Sequence, residues 1–482
     1  MGTTTPHPSG STPLGAAHRT YRHLRYPSIA CALAALLGGC AMVQLPRLAD
    51  DTPPAWQNTS ASEAKAPAPD LRGWWKAFND PELDRLVDQA LSGNLTIAQA
   101  ALRIDAARTL ADHRYAGFLP QFGVHTLNEP APDSSASYFQ MGFDTKWELG
   151  LFGRSTGHSR VVAGDLGIAE SDRQAARVSV VAEVARSYVE LRGAQRRQGL
   201  LEQLAADARD KVGLTETRVR LRLASANDLA RARVEQASAE AALYEPRLAV
   251  VQSRQKLGVL LGKIEPDAAL VGAGTQPELG DLRIASAPAD LLRTRPEIRR
   301  AESEVLKAAG ELGLARAELY PRLGLGGSLT YSARVIGRTR LSDADGIVTF
   351  GPAIDIPLFD WGARKAAADA RDAELSASVL TYRQAVLEGI AEAETAMAAL
   401  ERQRERIAAL GRGLAGVEHA AATTGTLRRL GLADGFDRVT STAALVQARL
   451  EIAQAEQERN IAFIALYKAL GGAPLPHAEP AD

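Results

Sequence analysis

Two periods of hydrophobicity alternate along the chain. Val386, Ile390, Ala393, Met397, Leu400, Ile407 and Leu414 follow one another in steps of four and three, then sevens. That spacing is the seam of a helix packed as a coiled coil. Val181, Val184, Tyr188 and Leu191 repeat it in the first half. Proline is absent from Gly153 to Glu245 and again from Leu358 to Ala473. An interior proline costs a helix about 3 kcal/mol, so both stretches admit very long helices. The run from Gly153 to Arg220 predicts a rod of about 100 Å at 1.5 Å per residue.

Between these stretches the period falls to two. Phe139, Met141, Phe143, Thr145, Trp147 and Leu149 alternate with Gln140, Gly142, Asp144, Lys146 and Glu148. Leu323, Leu325, Leu329 and Tyr331 do the same, as do Val348, Phe350, Pro352, Ile354 and Ile356; Gln121 to Asn128 is the weakest of four such segments. Alternation over about ten residues marks membrane β-barrel strands. A half-buried strand of a soluble sheet gives the same pattern segment by segment. Context favours the barrel: the strands recur as two hairpins around the polar loops Glu129–Ser137 and Ser332–Gly346, and isolated two-stranded hairpins are marginal in water.

The two hairpins belong to an internal repeat. Asn94-Leu95-Thr96-Ile97 precedes Arg295-Pro296-Glu297-Ile298 by 201 positions, as Phe118-Leu119-Pro120 precedes Leu319-Tyr320-Pro321. Leu151-Phe152 stands 207 before Leu358-Phe359, and Asp228 stands 209 before Asp437, as Leu261-Gly262 stands before Leu470-Gly471. Each half reads helix, strand, strand, long helix, turn, helix. The expected class is therefore mainly α with a small β part and internal duplication, the long helices packing as antiparallel coiled coils. Four strands cannot close a barrel, since the smallest have about eight. Two copies supply eight strands, which side chains nearly fill; three supply twelve and leave a passage. The boundaries expected are 40–92 for an N-terminal segment, 93–262 and 291–471 for the repeats, 263–290 for a joint and 472–482 for a tail.

Composition narrows the class. Basic and acidic residues number 56 and 57, a net charge of −1, which argues against a nucleic-acid partner. Arg22 and Arg25 precede an apolar run from Ser28 to Leu37, then Gly38, Gly39 and Cys40. A basic segment, about ten apolar residues and small residues before a cut form a secretory signal, here residues 1–39. Leu37-Gly38-Gly39-Cys40 looks like a bacterial lipobox, which makes Cys40 the lipidated first residue of the mature chain. Ala41 follows it, so delivery to the outer membrane of a Gram-negative cell is the expectation for that lipoprotein class. With Cys31 removed and Cys40 acylated, no thiol remains for a disulfide, a metal or catalysis.

Over nearly all of its mature length the chain resembles the outer membrane factors of tripartite efflux systems, the TolC and OprM group and especially its NodT-type lipoproteins. The residues that carry the resemblance are Trp74-Trp75-Lys76-Ala77-Phe78 with Asp80-Pro81-Glu82-Leu83, then Leu291-Leu292-Arg293-Thr294-Arg295-Pro296-Glu297-Ile298. Trp147-Glu148 with Leu151-Phe152-Gly153-Arg154 and Ile356-Pro357-Leu358-Phe359-Asp360-Trp361-Gly362 complete it. Pro246, in the helix after the first turn, matches the subgroup and should kink that helix. The resemblance implies a homotrimer with a twelve-stranded membrane β-barrel, on a periplasmic tunnel in which the long antiparallel helices form an α-barrel. Its partners would be a periplasmic adaptor, an inner-membrane pump that supplies the energy, and outer-membrane lipid. No cofactor is implied.

Catalytic chemistry has no foothold in the sequence. The histidines lack metal spacing such as His-Glu-x-x-His, and no phosphate-binding glycine loop is present; an enzyme is not expected. The turns between the long helices are the candidate site. Gly431, Leu432 and Ala433, followed by Asp434 and Asp437, resemble the family's periplasmic turn; Leu223, Ala224 and Ser225 are the matching adaptor-contact positions of the first half. Arg222 stands where that turn wants a glycine, so Asn227 or a neighbour is expected to supply a left-handed residue. Asp437 matches the place of a constricting aspartate ring, and Arg428 replaces a gate tyrosine. The gate candidates are Asp437, Arg428, Asp228 and Arg222, with Arg428 near enough along the chain to pair with Asp437. Asp228 and Asp437 serve equally well as helix-start caps. The function these features point to is the outer duct of an efflux system. The alternatives are the duct of a type I protein-secretion system and a coiled-coil lipoprotein without a pore.

Overall fold

In the computed structural model, the described residues are 43–48, 56–57, 71–129, 138–265, 270–272, 274–279, 294–334 and 346–473. The signal segment, Cys40, Leu291-Leu292-Arg293, most of both hairpin loops, much of the joint and the tail beyond 473 lie outside them.

The chain enters through a short 3-10 turn, Trp74–Phe78, and then helix α1, Pro81–Gly93. Asp80 starts α1 by accepting hydrogen bonds from the backbone N–H groups of Glu82 and Leu83, and Pro81 at the first position loses no helical bond. Asn94 caps α2, Leu95–Asp112, in the same way. Strands β1 (Gln121–Glu129) and β2 (Tyr138–Glu148) follow. Helix α3 then runs 67 residues from Arg154 to Arg220. After a turn come α4, Ala226–Ala241, and α5, Tyr244–Leu260. The second half repeats the order: α6 (Pro296–Ala317), β3 (Arg322–Arg334), β4 (Gly346–Asp355), α7 (Ala363–Arg429, again 67 residues) and α8 (Gly435–Ala469).

The expected kink at Pro246 falls earlier than its own position. The helix is interrupted at Ala242 and Leu243, and Pro246 sits in the first turn of α5. A proline ring collides with the carbonyl four residues before it, which is Ala242. The second half has no proline there, and α8 runs unbroken for 35 residues.

The four strands form one antiparallel sheet in the order β1-β2-β3-β4. Its centre joins the halves, with Phe143 opposite Leu329 and Asp144 opposite Ser328. Register places Phe122, Val124, Phe143, Trp147, Val348 and Phe350 on one face. That face is open to the surroundings, with Phe122 84% and Phe350 76% exposed. The opposite face is polar. His125 Nδ1 lies 2.5 Å from Asp144 Oδ2 over the bare Cα of Gly142, and Ser328 shares a 2.8 Å hydroxyl contact with Thr349. A cleft of about 640 Å³ runs over this sheet past Asp144, Lys146, Glu148, Arg322 and Asp355.

The main apolar core sits midway along the long helices α3 and α7, against the last turns of α5 and α8. Trp74 stacks on Tyr467 at 5.5 Å, Phe78 meets Phe463 edge-on at 5.4 Å, and Trp74 Nε1 donates to the Gly472 carbonyl at 3.0 Å. Val181, Val184, Tyr188 and Leu191 all point into it, as their spacing requires. The Tyr188 hydroxyl donates to Asp80 Oδ2 at 2.8 Å, and burial pushes its pKa up to about 12. On α7 the seam residues Val386, Ala393, Met397 and Leu400 are buried, whereas Ile407 and Leu414 beyond them stay half-exposed. No helix among the described residues is long and apolar enough to cross a membrane.

Candidate functional site

Each long helix ends in the same six residues of geometry. At the end of α3 the N–H of Leu223 donates to the Arg218 carbonyl at 2.8 Å, and that of Arg222 to the Val219 carbonyl at 3.0 Å. At the end of α7 Leu432 reaches Leu427 at 2.8 Å and Gly431 reaches Arg428 at 3.0 Å. This pair of bonds is the Schellman cap, which needs one left-handed residue. Gly431 supplies it with φ +75°. In the first half Arg222 itself supplies it, at φ +57°. The expectation that Asn227 or a neighbour would take over is corrected: Asn227 lies inside α4. The two cap hydrogen bonds hold an arginine where the side chain alone would disfavour the backbone.

Both following helices begin with a capping box. Ser225 Oγ accepts from the Asp228 N–H at 3.1 Å, and the Asp228 carboxylate accepts from the Ser225 N–H at 2.9 Å. Asp434 accepts from Phe436 and Asp437 at 2.8 and 3.0 Å, and Asp437 accepts from the Asp434 N–H at 2.9 Å. These N–H donors hold the carboxyls of Asp228 and Asp434 below the ordinary carboxylate range. Asp228 and Asp437 are thus engaged with their own helix starts.

The expected pair between Arg428 and Asp437 does not form among the described residues. Arg218, from the end of α3, instead places a guanidinium nitrogen 2.6 Å from Asp434 Oδ2 and lies 4.0 Å from the ring centroid of Phe436. One turn along, Arg438 reaches Asp210 at 2.7 Å and the buried Asp207 at 3.5 Å. Two contact points therefore tie the tip of the first repeat to the start of α8. Sequence reading placed Asp434 in the turn but missed Arg218 and its pairing with Asp434, 216 residues away. The Asp434-x-x-Asp437 spacing does advertise a capping box, but nothing local shows which arginine comes to it.

The tips of the turns are apolar and open. Leu221 and Leu223 are 64% and 72% exposed, and Leu430 and Leu432 are 67% and 73%. Ala224, Ser225 and Ala433 lie within the same two turns. No group of three or more His, Cys, Asp or Glu able to hold a metal occurs among the described residues.

A family model described as outer membrane efflux protein matches residues 86–263 and 287–472. Nodulation protein T of Rhizobium leguminosarum bv. trifolii is 27% identical over 423 residues, which covers 84% of this chain and 89% of that protein. Outer membrane protein OprJ of Pseudomonas aeruginosa is 29% identical over 458 residues, covering 91% and 94%. Among solved structures the outer-membrane channel OprN superposes with a TM-score of 0.78 at 28% identity, over 91% of this chain and all of that one. The open state of the MtrE outer membrane channel of Neisseria gonorrhoeae gives 0.77 at 25% identity, over 90% and 99%.

Proposed function

The chain belongs to the outer membrane efflux protein family, and from that premise we propose how it works. It is an outer-membrane efflux channel of a Gram-negative cell, and its family is one of channels and not of enzymes. Three copies close a twelve-stranded barrel in the outer membrane, continuous with a tunnel of long helices in the periplasm. The chain conducts passively: an inner-membrane pump supplies the work and a periplasmic adaptor connects the two.

The sheet carries this reading. It has one face of exposed Phe, Val and Trp and one face of charges and hydroxyls, and β1 and β4 are both open edges. In hydrocarbon every backbone N–H and C=O must be paired within the protein, so an open edge is admissible only if another copy closes it. Once closed, the apolar face meets lipid and the polar face lines the passage. At the other end the open leucines Leu223 and Leu432, with Ala224, Ser225, Gly431 and Ala433, form the surface for the adaptor. The gate lies at the same turns. Arg218 with Asp434 holds the two repeats together there, and Asp437, Arg428, Asp228 and Arg222 recur around the axis.

The test is assembly and conduction together. The detergent-extracted complex should have the mass of three chains and should conduct ions in planar bilayers. A stable, non-conducting monomer overturns the proposal.

A further inference from the structure

Two helices meet end to end in the middle of the helical layer. Helices α6 and α8 both pack between α3 and α7; α8 ends at Ala469 and α6 starts at Pro296. The ends are stitched together, with Thr294 Oγ1 donating to the Leu470 carbonyl at 3.0 Å, and a Cβ on Gly471 would lie 3.0 Å from the Thr294 carbonyl oxygen. Beside this joint lies a recess of about 710 Å³, walled by α3, α7, α8 and the start of α6.

Helix phase decides which way the recess opens. Glu183 lies between the core residues Val181 and Ala185, Thr395 between Ala393 and Met397, and Ala465 between Phe463 and Tyr467. On an α-helix a residue two places from another points about 200° away from it. Glu183, Thr395 and Ala465 all line the recess, which therefore lies on the face opposite the core. The core face is covered by the turn Trp74–Phe78 and by α1, through the buried Trp74, Phe78, Leu83 and Leu86. In a tunnel one helix thick the covered face is the outer one, since elements stacked inside would block the passage. The recess thus opens into the passage, about 45 Å along α3 from the sheet and about 55 Å from the turn at Arg222.

We infer that this recess is a binding site in the passage wall for uncharged small molecules with an apolar body. This inference rests on the channel reading above and deepens it, by placing a resting point for the exported molecule and naming its chemistry. Ala391, Ala399, Ile461 and Ala465 supply a floor of short apolar side chains. Ligand pockets are typically apolar recesses of about 300–1,000 Å³ with a few polar groups, and this one fits both terms. Its rim carries three acidic and three basic side chains, and each is held by an opposite charge. Glu183 lies 2.6 Å from Lys256 and 4.0 Å from Lys468, Arg186 lies 2.8 Å from Glu190, and Arg295 lies 2.6 Å from Glu392 and 3.6 Å from Glu297. A charged molecule would have to break one of these pairs to gain a partner; an uncharged one leaves them intact.

Photolabelling of the full-length complex in lipid nanodiscs tests the site. Benzophenone, an uncharged photoreactive probe, should attach within residues 391–399 and 461–469. A465W and T395W, each filling the recess from an exposed position, should abolish that labelling. The same body carrying a carboxylate, 4-benzoylbenzoate, should label these residues about tenfold less. A maleimide on a polymer too wide for the passage should modify K76C, on the outer face, and spare T395C. A complex of three-chain mass with no label in these residues, or with label unchanged in both tryptophan variants, overturns the site and leaves the channel intact. Equal labelling by the carboxylate overturns the ligand class. Equal modification of T395C and K76C puts the recess outside the passage and overturns the inference. A complex with the mass of one chain overturns the channel reading, and the inference with it.

Discussion

Arg222 and Gly431 hold the same place in the two repeats, and both take the left-handed conformation. For an L-residue other than glycine that conformation costs about 1–2 kcal/mol, so the first turn carries a strain the second does not. R222G should relieve about 1 kcal/mol of it and raise hydrogen-exchange protection of the Leu221 to Leu223 amides roughly fivefold. G431A should lower protection at Leu432. Unchanged exchange in both variants overturns the claim of strain. The adjacent capping boxes have a defined pH response. Asp228 and Asp434 have folded pKa values depressed by backbone N–H donors, so their contribution is complete above the unfolded carboxylate value of about 3.9. It is lost only as pH falls through the still lower folded values. Asp228 was legible as a helix-start residue, though Ser225, which holds the cap position itself, was read only as part of the turn. The left-handed arginine was not, because only the pair of hydrogen bonds closing over it holds it there.

Helices and strands were largely legible because each reports itself by its own period. The rod expected from Gly153 to Arg220 is the helix Arg154–Arg220, and the alternating segments are the four strands. Less legible was how the elements meet. Nothing local says that β2 pairs with β3 instead of each hairpin standing alone, since that bond joins residues nearly 200 positions apart. Register then decides which face is which. Phe143 lies between Val124 and Leu329 on the apolar face, and Asp144 beside it contacts His125 on the polar one. F143R should therefore cost about 2–4 kcal/mol of folding stability in lipid vesicles if it sits near the midplane. D144R, one residue on, should be far milder, because its side chain lies on the polar face, which lines the passage in the assembly proposed above. Equal losses in urea unfolding would mean that the two faces are misassigned.

At the scale of the molecule, the repeat and the long coiled coils were readable, but the contact across the tips was not. The seam on α7 was read as continuous through Ile407 and Leu414, whereas one chain buries it only as far as Leu400. Arg218 reaches Asp434 because the fold brings the end of α3 beside the start of α8, a proximity no spacing encodes. The same geometry sharpens what Asp437 does. In the trimer proposed above it recurs three times near the axis, where a ring of carboxylates favours cations. Yet it also accepts the Asp434 N–H at 2.9 Å and so completes the start of α8. Two substitutions separate these roles. Asparagine keeps an acceptor oxygen for that N–H and removes the charge; alanine removes both. If the charge shapes the passage, D437N should weaken cation preference in planar-bilayer recordings while the thermal stability of the complex stays at the wild-type value. D437A should weaken preference equally and also lose the cap, worth about 1 kcal/mol per copy. If D437N conducts with unchanged selectivity and only D437A differs, Asp437 is a helix-start residue and no charged ring operates at this turn.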